Sequence, residues 1–187
     1  MPLALDEKVA ALEAALAAAK IPHAFGGALA LAYYATPRAT HDIDLNVFLS
    51  EKRAARVLAT LAELGVAAGG TVPLRTVRDR GKVRVYWEHT PIDLFFCYDP
   101  FHDRCAERAR RVPFGEGVTL PILSAEDLTV FKVIFNRAKD WTDIDEMLYA
   151  LGADFDGGYV MTWLRKILDA GDSRIARIDA VLRQPPG

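Results

Sequence analysis

Apolar and polar residues alternate along this chain with two different periods, and the change of period divides it. Over residues 6–19 the apolar positions Val9, Leu12, Leu16 and Ala19 recur at helical spacing among good helix formers. This predicts an amphipathic helix ended by Pro22. The run His23-Ala24-Phe25 then reads as a short strand, Ala28 to Ala35 as a small alanine-rich helix, and Thr36-Pro37-Arg38 as a turn. Period-two alternation follows on a strand that carries Asp42 and Asp44. There Ile43, Leu45 and Val47 share the face that can enter a core, while Asp42, Asp44 and Asn46 share the other.

Helical spacing returns after Ser50, where Ala54, Val57, Leu58, Leu61 and Leu64 predict a third helix that Gly65 stops. Strand patterns then take over at Val72-Pro73-Leu74 and at Lys82-Val83-Arg84-Val85-Tyr86-Trp87. Beyond a turn at His89-Thr90-Pro91, another strand runs Ile92-Asp93-Leu94-Phe95-Phe96. In it Ile92, Leu94 and Phe96 face one way and Asp93 the other. Residues 101–111 read as a helical connector and Val118 to Ile122 as a short strand. From Ser124 onward the pattern is helical. Ser124 with Asp127 three residues on is a shortened capping box before Leu128 to Phe135. Asp140, with Asp143 three residues later, reads as the cap of Trp141 to Leu151. Helices near 158–169 and 172–183 follow, and the Gln-Pro-Pro-Gly tail is expected to fray. The fold class expected is α/β, a mixed sheet flanked by helices over residues 1–122, with a helical bundle over residues 123–187 packed on it as a C-terminal subdomain.

Composition narrows the function classes. At 187 residues and 51% hydrophobic, the chain can bury a full core. A formal charge of −2 supplies no general attraction to nucleic acid, so polynucleotide contact would need local patches. Two such patches exist, one through Arg75, Arg78, Arg80, Lys82 and Arg84, the other through Arg104, Arg108, Arg110 and Arg111. Cys97 and Cys105 are too few for a disulfide framework and fit a reducing cytoplasm. The first twenty residues carry Asp6, Glu7, Lys8 and Glu13 among their apolar positions, unlike a signal peptide. No apolar run is long enough to span a bilayer, so a soluble protein without a membrane partner is expected.

The chemistry concentrates between Gly26 and Leu49. Two carboxylates one strand-step apart repel each other unless positive charge lies between them, and a divalent metal is the simplest source. Upstream, Gly26 and Gly27 let backbone approach a ligand closely, and the helix they open offers unpaired N–H groups to an anion. Glycine also suits a plain strand-to-helix turn, and the two readings are compatible. Metal beside phosphate suggests a metal-bound nucleoside triphosphate. A strand neighbouring that of Asp42 would bring Asp93 within reach of the same site.

The text GGALALAYY…PRATHDIDL, with Gly-Gly, a helix and Asp-x-Asp on a strand, resembles the polymerase-β-like nucleotidyltransferase superfamily. Within it, Gly27 and the long gap to the aspartates look like the AbiEii-type branch that includes the MenT toxins of toxin–antitoxin systems. That resemblance implies a nucleotidyltransferase fold and a third carboxylate, for which Asp93 is the candidate. Asp42, Asp44 and Asp93 would then hold two Mg²⁺ ions about 3.5–4 Å apart. Asp93, on one ion only, would orient or deprotonate the attacking hydroxyl. The resemblance also implies a lysine at the triphosphate in the helix after the sheet, a position that Lys132 matches. A lysine there can equally snorkel to water. Asp143 is either an acidic site residue or a helix cap, and capping explains Asp140. Arg38 is a candidate to steady the loop or meet the nucleotide, while Arg137 and Lys139 read as a solvated loop.

The activity implied is transfer of a nucleoside monophosphate from an NTP to an acceptor hydroxyl, with an RNA acceptor, the tRNA 3′ end, and a cognate antitoxin as partners. Neither the acceptor nor the choice of ATP, CTP or another NTP is readable. The alternatives are transfer to a small molecule such as an antibiotic, transfer to a protein side chain, and a non-catalytic nucleotide-binding subunit.

Overall fold

A computed structural model of the protein describes residues 2–67 and 81–183. The expected strand at Val72-Pro73-Leu74, the cations Arg75, Arg78 and Arg80, and the Gln-Pro-Pro-Gly tail lie outside the described residues. The chain divides into two units, Met1–Leu29 with Ala39–Leu123 and Ala30–Arg38 with Ser124–Gly187.

The first unit is built on a sheet. Its described strands are β1 (His23–Phe25), β2 (Ile43–Ser50), β3 (Lys82–Trp87), β4 (Thr90–Cys97), β5 (Arg110–Pro113) and β6 (Thr119–Ile122). They pair in the order β3-β4-β2-β1-β6-β5. The sheet is mixed, because β2 runs parallel to β4 and β1 parallel to β6, while the other neighbours are antiparallel. Alternation sends Ile43, Leu45 and Val47 of β2 and Ile92, Leu94 and Phe96 of β4 into the core, each fully buried. Each such side chain contributes roughly 1.5–3 kcal/mol of hydrophobic stabilisation. Helix α1 (Leu5–Ala18) brings the buried stripe Val9, Leu12 and Leu16. Helix α3 (Ala54–Ala62) packs on it through its own buried face of Val57 and Leu61.

Several boundaries differ from those read in the sequence, each for a local reason. Asp42 precedes β2 instead of lying on it. Thr40 Oγ1 donates to the Asp42 carboxylate at 2.5 Å, and the Asp42 N–H points back at that hydroxyl at 3.4 Å. This local turn competes with the strand ladder. The small helix α2 (Gly27–Leu31) is shorter than Ala28 to Ala35, because the chain tightens into bonds three residues back, from the Tyr33 N–H to the Ala30 carbonyl at 3.1 Å and from the Tyr34 N–H to the Leu31 carbonyl at 2.8 Å. The hairpin turn falls at Glu88, with φ 54°, and Thr90 and Pro91 already belong to β4. The expected connector over 101–111 is helix α4 (Pro100–Arg108), capped by Asp99, and Arg110 and Arg111 extend into β5.

The second unit is helical, with α5 (Ala125–Phe135), α6 (Ala138–Leu151), α7 (Gly157–Ile167) and α8 (Ser173–Leu182). Ser124 caps α5, its hydroxyl accepting from the Asp127 N–H at 3.2 Å. Asn136 in the left-handed region ends α5, and its side-chain oxygen accepts from Trp141 Nε1 at 2.8 Å. Val133, Ile144, Met147, Leu164 and Ile178 are fully buried. Arg174 ties α8 to α5 by donating to the Ile134 carbonyl at 2.7 Å. The guanidinium of Arg177 stacks 3.9 Å from the Trp141 ring centroid. Asp140 is a capping residue, as expected, but from the third position of α6. Its carboxylate accepts from the Arg137 N–H at 3.0 Å. The helix starts earlier than Trp141, so Asp140 lies inside its first turn.

Candidate active site

In the sheet unit the polar face of β2 and β4 carries Asp44 and Asp93, and Asp42 immediately precedes β2. The register places Asp44 directly opposite Asp93 on neighbouring parallel strands, so the two side chains leave the same face. Antiparallel pairing on the other side of β4 sets Arg84 opposite Asp93. Asp93 thus lies between an acid and a base. Its Oδ1 accepts from Arg84 Nε at 2.7 Å, and its Oδ2 accepts from Arg84 Nη2 and Lys82 Nζ, each at 2.8 Å. Burial opposes ionisation of this carboxyl, yet the hydrogen bonds from Arg84 and Lys82 prevail and hold it below the usual carboxylate range. The Arg84 guanidinium is held more firmly protonated, chiefly by its hydrogen bonds to Asp93 and also by the charge of Asp42.

The glycine pair is fitted to this face. The Gly26 N–H donates to the Asp44 carbonyl at 2.9 Å. A Cβ on Gly26 would lie 2.8 Å from Asn46 Nδ2, and one on Gly27 would lie 1.8 Å from Asp44 Oδ2. Gly27 also has φ +53°, a conformation L side chains rarely adopt. The structure thus explains both glycines by the space that Asp44 and Asn46 take. The helix they open has only five residues.

The remaining site candidates, Arg38, Lys132 and Asp143, meet in the helical unit. Lys132 is 3% exposed, and its ammonium donates to Asp143 Oδ2 and stands 4.0 Å from Asp140 Oδ1. Arg38 forks onto the same acid, donating through Nε to Oδ1 at 3.0 Å and through Nη2 to Oδ2 at 3.1 Å. Burial again opposes charge on Asp143, and the bonds from Arg38 and Lys132 outweigh it and lower its pKa. Snorkelling does not describe Lys132, whose ammonium is enclosed with two carboxylates.

Lys82 and Arg84 are the residues whose place the sequence reading missed, having grouped them only with a basic patch. Their signal was available in the hairpin, because alternation puts both on one face and the short turn sets Arg84 across from Asp93 with Lys82 on the diagonal.

The donor chemistry bears on a metal. Carboxylate oxygens at Asp42 and Asp44 suit a hard cation such as Mg²⁺. Asp93 as it stands does not, since both its oxygens are committed to Lys82 and Arg84. Among the described residues no three His, Cys, Asp or Glu side chains are gathered as a metal-holding group.

No protein-family model matches this chain, and no curated protein matches it. Solved structures do. The solution structure of the antibiotic-resistance factor ANT(2'')-Ia is similar with a TM-score of 0.53 at 16% identity, covering 96% of this chain and 93% of that one. A crystal structure of ANT(2'')-Ia in complex with adenylyl-2''-tobramycin gives a TM-score of 0.52 at 15% identity, over 90% and 93% of the two chains. The lincomycin-bound lincosamide antibiotic adenylyltransferase LnuA gives a TM-score of 0.52 at 12% identity, over 79% and 98%. The chain has the nucleotidyltransferase fold.

Proposed function

We propose that this protein is a nucleotidyltransferase of the polymerase-β-like superfamily that moves a nucleoside monophosphate from an NTP to an acceptor hydroxyl, releasing pyrophosphate. The observation that carries the reading is the register of Asp44 against Asp93, with Gly27 cleared of side chain beside Asp44. In this fold such a face is where phosphoryl transfer needs acids. Asp42, Asp44 and Asp93 are the catalytic acids of the reading. Mg²⁺ held by Asp42 and Asp44 would supply the positive charge that a triphosphate requires. Gly26 and Gly27 are assigned to the phosphates, which would meet their backbone. Lys132, Arg38 and Asp143 are assigned to the nucleotide, with Asp143 holding both cations in position.

For the acceptor, the first reading is RNA, the tRNA 3′ end, with the chain acting as the toxin of a toxin–antitoxin pair. Its support is the resemblance of GGALALAYY…PRATHDIDL to the AbiEii-type branch. A small-molecule acceptor is the second reading, favoured by the antibiotic-modifying proteins that share the fold. Incubation with labelled NTPs, total RNA, an aminoglycoside and a lincosamide separates the two. Label in RNA that disappears with Asp44→Asn supports the first reading, and label confined to a drug replaces it. No transfer to any acceptor by a folded, metal-loaded protein would overturn the enzyme reading.

A further inference from the structure

We propose that Lys82 and Arg84 guard the Asp93 carboxylate against a divalent cation, so that Asp93 joins Asp42 and Asp44 as a metal ligand only when these two cations release it. The inference rests on the nucleotidyltransferase reading and deepens it by assigning two positioning residues.

The geometry defines a competition. Three charge-assisted hydrogen bonds of 2.7–2.8 Å occupy both oxygens of Asp93. A divalent ion arriving at the same lone pairs would sit beside two fixed positive charges, and like charges at contact distance repel. The ion and the guard therefore exclude each other.

Exposure decides which side yields. The Asp93 side chain is only 5% exposed and is fixed in β4 between Asp44 and Arg84. The Lys82 and Arg84 side chains are 40% and 46% exposed on β3. Long side chains so exposed turn into water at little cost, whereas the carboxylate has nowhere to go. Lys82 also spans the Phe95 ring, its ammonium 4.8 Å from the centroid, which gives the closed arrangement a second hold. An ion held by Asp42 and Asp44 would leave these three bonds intact, and one held by Asp93 would not.

The test is a Mn²⁺ titration of the full chain, followed by electron paramagnetic resonance of free Mn²⁺. Arg84→Met and the Lys82→Met/Arg84→Met double variant should each bind Mn²⁺ about tenfold more tightly than the unaltered protein, the size expected when a charge-assisted competitor is removed. Adding Asp93→Asn to either variant should cancel that gain. Equal affinity in all three proteins, or a gain that survives Asp93→Asn, overturns the guard while leaving the transferase reading intact. Mn²⁺ binding that is indifferent to Asp44→Asn removes the transferase reading and the guard with it.

Discussion

Gly27 and Asp44 are fitted so closely that a methyl group on the first would lie 1.8 Å from a carboxylate oxygen of the second. No side-chain rotation on Gly27→Ala can avoid this, because a Cβ has a fixed direction. The backbone φ of +53° adds its own penalty of roughly 1–2 kcal/mol. Gly27→Ala should lower stability by at least that amount, read from a denaturant midpoint, and should abolish nucleotide transfer by displacing Asp44. Retained transfer would mean that the position of Asp44 does not matter to the reaction.

Replacing acids without changing their shape isolates charge from packing. Asp44→Asn and Asp42→Asn should each reduce transfer by at least about a hundredfold, the scale of losing one group that stabilises transition-state charge. Melting temperatures should stay close to that of the unaltered protein, since both residues lie at half-buried positions beside like charge.

Lys132 and Asp143 form a pair of a different kind, because both side chains are about 4% exposed. Asp143→Asn leaves the enclosed Lys132 ammonium with only Asp140 at 4.0 Å and should cost about 3–5 kcal/mol, whereas Lys132→Met leaves Asp143 held by Arg38 and should cost less. The double variant should recover part of that loss, since neither charge is then stranded. A thermodynamic cycle on the three proteins measures the coupling, and additive losses would show that the contact carries none.

The acids Asp93 and Asp143 also set the pH response. Both have folded-state pKa values below the ordinary 3.8, with burial working against the shift and hydrogen bonds from Arg84 and Lys82, or from Arg38 and Lys132, producing it. A depressed carboxylate pKa means that its stabilisation is complete above the unfolded value and is lost as pH falls through the folded one. Denaturant midpoints taken from about pH 6 down to about pH 2 should therefore fall steeply only below about pH 4. Asp143→Asn should flatten that acid limb, and an unchanged limb would contradict the assignment.

Much of the sheet was legible because alternation is a strong signal where one face is buried. Ile43, Leu45 and Val47, and likewise Ile92, Leu94 and Phe96, disclose their common face by spacing alone. That face determines where Asp44 and Asp93 point. The spacing cannot disclose which strands are neighbours or in what register, so the alignment of Asp44 with Asp93 had to be seen. The same limit hid the bond from Arg84 to Asp93 and the enclosure of Lys132. A lysine among Val130, Phe131 and Val133 reads as either a triphosphate ligand or a snorkelling side chain, and its partners, eight and eleven residues on, are brought beside it only by the next helix. Boundaries failed where a side chain competes with the backbone, as Thr40 does at Asp42.

The parallel pairing of β2 with β4 carries a consequence for how the molecule comes into being. Antiparallel neighbours can meet through a tight turn, but these two strands are joined through α3, β3 and everything between. Closing so long an excursion is entropically slow. A ribosome must therefore deliver the chain through Asp93 before the two acids can face each other, and every shorter nascent product lacks the pair.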